Sequence, residues 1–318
     1  MHANRIDTTR PVCFNAAMEY AFKSIAIIGR YMSTSALAQA HVHSQAQTHA
    51  QIIELVDHLS AKNLSIFIEE KTAAHERLTE YNTVSIDEIG KHVDFAIVLG
   101  GDGTMLSVAR AIVDDNIPLV GVNRGRFGFL TDISADNMLT SIDSILSGEF
   151  NIERRMLLSA EVHRGNGESS EVLGQGCALN DVIIKSGLRL IELEVKIDGQ
   201  FVHKQRSDGL IISTPTGTTA YALSSGGPIL HPKLDAIAIV PISPHTLSNR
   251  PIAISSSSHI EVVLVQADVV HLSLDGQIET VLQQGDKVVV KHAQKTVPLL
   301  HLKDYSYYEM LRNKLNWG

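Results

Sequence analysis

The run DFAIVL at residues 94–99 stops at two consecutive glycines, Gly100 and Gly101, and the rest of the first half can be ordered around it. Five apolar residues in a row make a strand that must be covered on both faces. Similar short runs lie at 24–28 (SIAII, ending at Gly29), 64–68 and 117–122 (IPLVGV). The segments between or after them read as helix: 34–61, rich in Ala, Gln and His and free of Gly and Pro, then 105–113 and 136–146. This alternation predicts a parallel sheet covered by helices, a Rossmann-like α/β domain over residues 21–150.

Near residue 150 the pattern changes. Short alternating or β-branched runs take over at 157–162, 182–185, 193–197, 210–213, 236–240, 259–265, 269–274 and 287–291, with turns such as Asp198-Gly199 and Gly285-Asp286 between them. They predict an antiparallel, all-β sandwich domain over 151–300. Residues 305–315 read as helix again, so 301–318 is expected to fold back onto the first domain. Residues 1–20 are a weakly patterned extension without a charged-then-apolar leader, and Met18 is a candidate alternative start. No repeat or low-complexity linker separates the domains. They are expected to pack closely, with a ligand site at their junction.

Composition narrows the function classes. The net charge of -8, from 27 basic and 35 acidic residues, argues against a broad basic surface for nucleic acid. It leaves room for a small anionic ligand held by backbone dipoles and a few cations. The longest apolar stretches, such as 236–240, are strand length, far short of the roughly 20 residues of a membrane span. The two cysteines, Cys13 and Cys177, make neither a disulfide framework nor a zinc cluster and read as free thiols of a reducing cytoplasm. His41, His43, His49 and His58 lie on one helical segment and read as a solvated face, with metal binding the weaker alternative.

Four segments carry chemistry. The first is Gly100-Gly101-Asp102-Gly103-Thr104, between a strand and a helix. Its glycines would let the backbone take positive φ and approach a ligand, and the helix N-terminus would offer unpaired N–H groups to a phosphate chain. A carboxylate beside phosphates is repulsive unless it binds a metal or takes a proton, and Asp102 could do either in phosphoryl transfer to an alcohol. Alone, the turn reads equally as a tight connection with Asp102 as helix cap. The second is the run 213–228, STPTGTTAYALSSGGP, preceded by Asp208-Gly209; its hydroxyls and amides suit ribose and phosphate, and Tyr221 suits a base, although a plain Ser/Thr-rich loop has the same composition. The third is Asn180-Asp181, an amide and a carboxylate for an adenine edge and ribose hydroxyls, or simply a turn. The fourth is 123–130, NRGRFGFL, beyond a strand end where parallel sheets bind ligands; it also reads as a packed surface loop. There is no G-x-x-x-x-G-K-[ST], no G-x-G-x-x-G after a first strand and no H-R-D loop, so the P-loop, ordinary dehydrogenase and protein-kinase fingerprints are absent.

Together these segments resemble the NAD kinase family in its bacterial form, over about residues 24–317. The shared pattern is GGDGT at 100–104, NRGRFGFLTD at 123–132, Asn180-Asp181, RSDGLIISTPTGTTAYALSSGGP at 206–228, PHTLSNRP at 244–251, SLDGQ at 273–277 and KDYSY at 303–307. GGDG alone is also similar to 6-phosphofructokinases and to diacylglycerol or sphingosine kinases; the later segments resemble NAD kinases specifically. The resemblance implies transfer of the γ-phosphate of ATP to the 2′-hydroxyl of the adenosine ribose of NAD⁺, with a divalent ion, Mg²⁺ or Mn²⁺.

It also implies roles by position. Asp102 is the general base and Gly103 approaches the dinucleotide, with Gly100, Gly101, Gly103 and Thr104 forming the phosphate loop. Asn180 and Asp181 hold adenine and ribose. Arg206 and Asp208 flank the nicotinamide side across a subunit boundary. Thr219, Ala220, Tyr221, Ala222, Leu223 and Ser224 line the NAD site, with Arg189, Ser243 and Gln277 as further contacts. The family implies a site between an α/β domain and a β-sandwich, and a homodimer or homotetramer. Asp181 stands where many members have Glu, which shortens the reach to ribose but keeps an acceptor. The competing readings are a related GGDGT-type kinase with a lipid or sugar-phosphate acceptor, a non-catalytic NAD(P)-binding sensor, and an NAD-dependent oxidoreductase.

Overall fold

A computed structural model of the chain describes residues 20–29, 42–78, 80–123, 128–165, 171–187, 189–245, 248–266 and 269–317. Cys13, the extension before Tyr20, positions 34–41 of the first expected helix, and Arg124, Gly125, Arg126 and Phe127 lie outside the described residues.

The first half runs β1 (Ser24–Gly29), α1 (Val42–Ser60), β2 (Ser65–Glu69), α2 (Glu70–Glu76), β3 (Thr83–Val84), β4 (Phe95–Leu99), α3 (Asp102–Ala111), β5 (Leu119–Asn123), β6 (Ile133–Ser134) and α4 (Met138–Leu146). Each helix buries one stripe on the sheet: Ile52, Leu55, Val56 and Leu59 on α1, and Met138, Ile142, Ile145 and Leu146 on α4, at i, i+3, i+4, i+7 or i, i+4, i+7, i+8 spacing. All five residues of β4 are buried, as the unbroken apolar run requires. The strands pair in parallel in the order β3-β2-β1-β4-β5. The order reverses between β1 and β4, and ligands of such sheets bind beyond the carboxyl ends of the strands at that reversal. Gly100 and Gly101 follow β4 at that place.

The second half runs β7 (Phe150–Arg164), β8 (Glu171–Ala178), β9 (Asp181–Ser186), β10 (Ile191–Ile197), β11 (Gln200–Ser207), β12 (Gly209–Ser213), α5 (Tyr221–Ser224), β13 (Ala236–Ile242), β14 (Ile252–Ser255), β15 (Ile260–Gln266), β16 (Val270–Leu274), β17 (Ile278–Leu282), β18 (Lys287–Leu302) and α6 (Tyr307–Leu315). One antiparallel sheet has the order β14-β13-β12-β9-β16-β17. It packs against β7, β10, β15 and β18 through Leu158, Val162, Ile184, Leu193, Leu210, Ile212, Val262 and Leu272, which forms the sandwich. Along β9, β12 and β13 alternate residues face this core. The residues between them, Ile183, Ile211, Ala238, Val240 and Ile242, face a second small core closed by Ala222. Both faces are covered, so these strands read as continuous apolar runs.

The junction is more intimate than two separate domains would give. β18 continues through the sandwich layer, and its last part pairs in parallel with β5 at Leu299↔Leu119. β7 follows β18 along most of its length, from Lys287↔His163 to Leu302↔Phe150. One sheet of twelve strands therefore includes the parallel sheet of the first half and one layer of the sandwich. The sequence shows only 157–162 and 287–291 of these two strands. Charged residues interrupt the pattern where Arg155 is buried against Glu153, at 2.7 Å. α6 folds back as expected: Tyr307 and Leu311 are buried, and the Lys314 ammonium lies 5.8 Å from the centre of the Phe129 ring in the first half.

Candidate active site

Asp102 is the first residue of α3, with Gly101 as its N-cap in extended geometry. Its carboxylate turns back onto the loop that follows β5. Oδ2 accepts the Phe129 amide at 2.8 Å, and Oδ1 accepts the Leu130 amide at 3.0 Å and the Thr131 hydroxyl at 3.3 Å. The described residues thus use three of roughly four lone-pair sites. The fit is close: a Cβ on Gly128 would overlap this carboxylate.

The expectation that the GGDG glycines take positive φ is not met, since none of Gly100, Gly101 and Gly103 is among the positive-φ residues. Space is the reason for one of these glycines. A Cβ on Gly100 would meet Thr104 Oγ1 at 2.5 Å, whereas at Gly101 nothing lies within 4 Å, so the turn has an open flank at the head of α3. Gly103 is held from the other domain: Gln277 Nε2 donates to its carbonyl at 2.7 Å.

The backbone of Asn180 and Asp181 is tied toward α3 through one buried carboxylate. Asp275 and Gly276 take φ +53° and +66°, the two left-handed central positions of a β16–β17 hairpin turn. From there the Asp275 carboxylate accepts the amides of Asn180 (2.7 Å), Leu179 (3.1 Å) and Asp181 (3.2 Å). Arg110 of α3 pairs with the same carboxylate and donates to Gln277 Oε1 at 2.5 Å. α3 is therefore clamped to the sandwich through Arg110, Asp275 and Gln277. Sequence reading assigned no role to Arg110 or Asp275; the Asp-Gly pair of SLDGQ is the signal that could have found the hairpin. Asp181 is 3% exposed, and burial, with the Asp275 charge next, pushes its carboxyl up to about 7.

The Ser/Thr-rich run is mostly self-satisfied. Thr214 Oγ1 donates to Leu179 O, Thr218 Oγ1 to Pro215 O and Ser213 Oγ to Thr214 O, and Thr216 Oγ1 accepts from the buried Arg155. These hydroxyls shape the loop, and the ligand-facing reading narrows to the partly exposed segment beyond them. Gly217 permits a close approach, since a Cβ there would overlap the Asn180 carbonyl. Thr219, Ala220 and Leu223 are partly exposed, Ser224 is exposed, and Ala222 points into the small core, which leaves only its backbone for a ligand. Tyr221 is partly exposed, with Lys185 Nζ 5.4 Å from its ring centre.

The remaining residues gather elsewhere. Asp181 pairs with Ser213 at one end of β9 and β12, while Lys185 pairs with Gly209 at the other, four steps or roughly 13 Å along the strands. Asp208 lies at that far end, its N–H donating to Ile242 O at 3.0 Å. Arg206 is exposed, with its carbonyl accepting the His245 amide; Arg189 and Ser243 are exposed there too, Ser243 at φ +45°. The site residues thus form two groups at opposite ends of β9 and β12, and the segment 219–224 lies between them across the outer face. Among the described residues no group of three His, Cys, Asp or Glu side chains is placed to hold a metal.

A glycine-rich turn at the reversal point of a parallel sheet, clamped through Arg110, Asp275 and Gln277 to an antiparallel sandwich, is the architecture of a two-domain nucleotide-dependent phosphotransferase. The chain belongs to the NAD kinase family: the ATP-NAD kinase N-terminal domain model matches residues 26–150 and the C-terminal domain model 179–302. It is 43% identical over 303 residues to an NAD kinase of Thiobacillus denitrificans, covering 95% of this chain and 99% of that one. It is 45% identical over 299 residues to an NAD kinase of Nitrosomonas europaea, covering 93% and 96%. In fold it is similar to a yeast NADH kinase solved with NADH (TM-score 0.79, 24% identity, 93% of this chain and 88% of that one). It is also similar to an NAD kinase of Archaeoglobus fulgidus solved with ATP (TM-score 0.69, 21% identity, 93% and 100%).

Proposed function

We propose that this protein transfers the γ-phosphate of ATP to the 2′-hydroxyl of the adenosine ribose of NAD⁺, giving NADP⁺ and ADP, with Asp102 as general base. The observation that carries the reading is the clamp of Arg110, Asp275 and Gln277, which sets the Asp102 turn beside Asn180 and Asp181. Family membership supports the acceptor and the donor. In this reading Asn180 and Asp181 hold adenine and ribose, and the Asp102 carboxylate takes the 2′-hydroxyl hydrogen bond. The proton passes to that carboxylate as the oxygen–phosphorus bond forms and the β–γ bridge breaks. The open flank at Gly101 and the N–H groups at the head of α3 receive phosphate oxygens, where they offset developing charge. A divalent ion, Mg²⁺ or Mn²⁺, would offset charge on the transferred phosphoryl group when bound, and it would need the triphosphate for most of its ligands, since the described residues offer no group of three His, Cys, Asp or Glu side chains for it. A non-catalytic sensor has no use for a carboxylate in this turn.

The far group, Arg189, Arg206, Asp208 and Ser243, takes the nicotinamide half. The exposure of Arg206 fits a place across a subunit boundary in a homodimer or homotetramer, which light scattering would check. No helix among the described residues is long and apolar enough to cross a membrane, which is compatible with a cytoplasmic enzyme. The decisive assay incubates the protein with NAD⁺, ATP and Mg²⁺ and couples product to an NADP⁺-specific dehydrogenase. Asp102→Asn should bind NAD⁺ normally and lose turnover by about 10² to 10⁴-fold. Full turnover in that variant would remove Asp102 as the base.

A further inference from the structure

The loop that receives the Asp102 carboxylate has its own anchor. Gly128 N donates to Thr131 O at 3.1 Å, which closes a tight turn, and Asn123 Nδ2 donates to Thr131 Oγ1 at 3.0 Å. The next residue, Asp132, reaches across to β18, where its Oδ2 lies 2.7 Å from His301 Nδ1. A carboxylate only accepts, so Nδ1 carries the proton and donates. Both side chains are largely buried, 3% exposed for His301 and 14% for Asp132. The imidazole is itself fixed, stacked on Tyr305 with ring centres 4.0 Å apart and planes at 13°. Beyond Asp132, the backbone anchor of β6 is only two residue pairs, Val122↔Ile133 and Asn123↔Ser134. Among the described residues every donor to the Asp102 carboxylate comes from residues 129–131, so whatever fixes those residues fixes where the carboxylate points.

We propose that His301 is a positioning residue for phosphoryl transfer: through Asp132 it holds the 128–131 loop whose amides aim the Asp102 carboxylate. This rests on the reading of Asp102 as the base. Among the described residues no hydrogen bond or ion pair joins the two side chains to Asn180, Asp181 or the 219–224 segment, so removal of the pair should misplace the base without weakening dinucleotide binding. A misplacement on the ångström scale is enough for a large loss of rate.

The test compares His301→Ala, His301→Phe and His301→Asn, each made with Asp102 present and with Asp102→Asn. His301→Phe keeps a ring over Tyr305 and removes only the donor, which covers the case in which the alanine variant does not fold. His301→Asn restores a donor nitrogen the same number of bonds from the backbone as Nδ1. Removal of the donor should lower kcat by about 10 to 100-fold with KM for NAD⁺ held within about twofold. His301→Asn should recover most of the loss. In the Asp102→Asn background the same changes should have no further effect on kcat. An additive loss in that background, or a rise in both KM values with no rescue by Asn, would overturn the proposal. Wild-type turnover in His301→Ala and His301→Phe, with Asp102→Asn inactive, would overturn it alone. Wild-type turnover in Asp102→Asn would remove the base reading and this inference together.

Discussion

The two ends of β9 and β12 are built differently. At the end near α3, Asp102, Asn180, Asp181 and Gln277 are held by charge-assisted hydrogen bonds and by an Arg110–Asp275 ion pair whose side chains are 10% and 0% exposed. At the other end Arg189, Arg206 and Ser243 are exposed, and among the described residues Arg206 and Asp208 are tied through backbone hydrogen bonds. The difference matches the division of labour proposed for the two halves of the dinucleotide. Phosphoryl transfer requires a fixed hydroxyl, and binding energy from the remote half needs only a surface that can close on it.

The largest effect should come from the clamp. Arg110→Leu leaves the Asp275 carboxylate buried without its cation, and breaking a pair of this kind costs about 3–5 kcal/mol. A fall in the urea midpoint together with loss of activity is expected; a variant as stable as the parent would mean that the near end is not rigidly built. Next comes the pH response of Asp181. Its folded value is raised from 3.8 to about 7, so the native state holds a proton that the unfolded chain has released. Stability should therefore fall as pH rises from about 4 to about 7 and level off above, with an amplitude up to about 4 kcal/mol. Asp181→Asn should flatten that part of the urea-midpoint profile between pH 4.5 and 8. A parallel profile in both proteins would place the titration elsewhere. The smallest effect is at the far end: Arg206→Ala should raise KM for NAD⁺ roughly two- to fivefold and leave kcat and the urea midpoint unchanged, as expected for an exposed charge. A loss of stability comparable to that of Arg110→Leu would erase the contrast.

What could be read from the chain alone follows from the same physics. The apolar runs of β4, β12 and β13 were legible because both faces of each strand are covered. The strands Glu171–Ala178, Gln200–Ser207, Ile252–Ser255 and Ile278–Leu282 were missed, since they are short or largely exposed and several of their apolar residues, such as Val172, Phe201, Ile278 and Val281, stand on the exposed face, which blurs the alternation. Asp102 and Asn180-Asp181 stood out by motif. The Arg110–Asp275 clamp did not, because its partners lie 165 residues apart and meet only when the sheets are assembled. Asp132 and His301 were hidden for the same reason. The Ser/Thr-rich run was legible as a site, but not in its detail, because composition cannot tell a hydroxyl that serves the loop from one that faces outward.

The continuity of β7 and β18 through both halves has a mechanical consequence. Two lobes joined by a flexible tether can swing like jaws, but here a pair of long strands, with one register shift between His292 and Thr296, crosses the boundary as a girder, and a wide swing would tear ladder hydrogen bonds on either side of that shift. Admission of substrates must then fall to movements of the rim. For the same reason the chain should not survive being split: a piece ending at residue 150 would leave the flank of Leu119 bare where Leu299 now lies beside it.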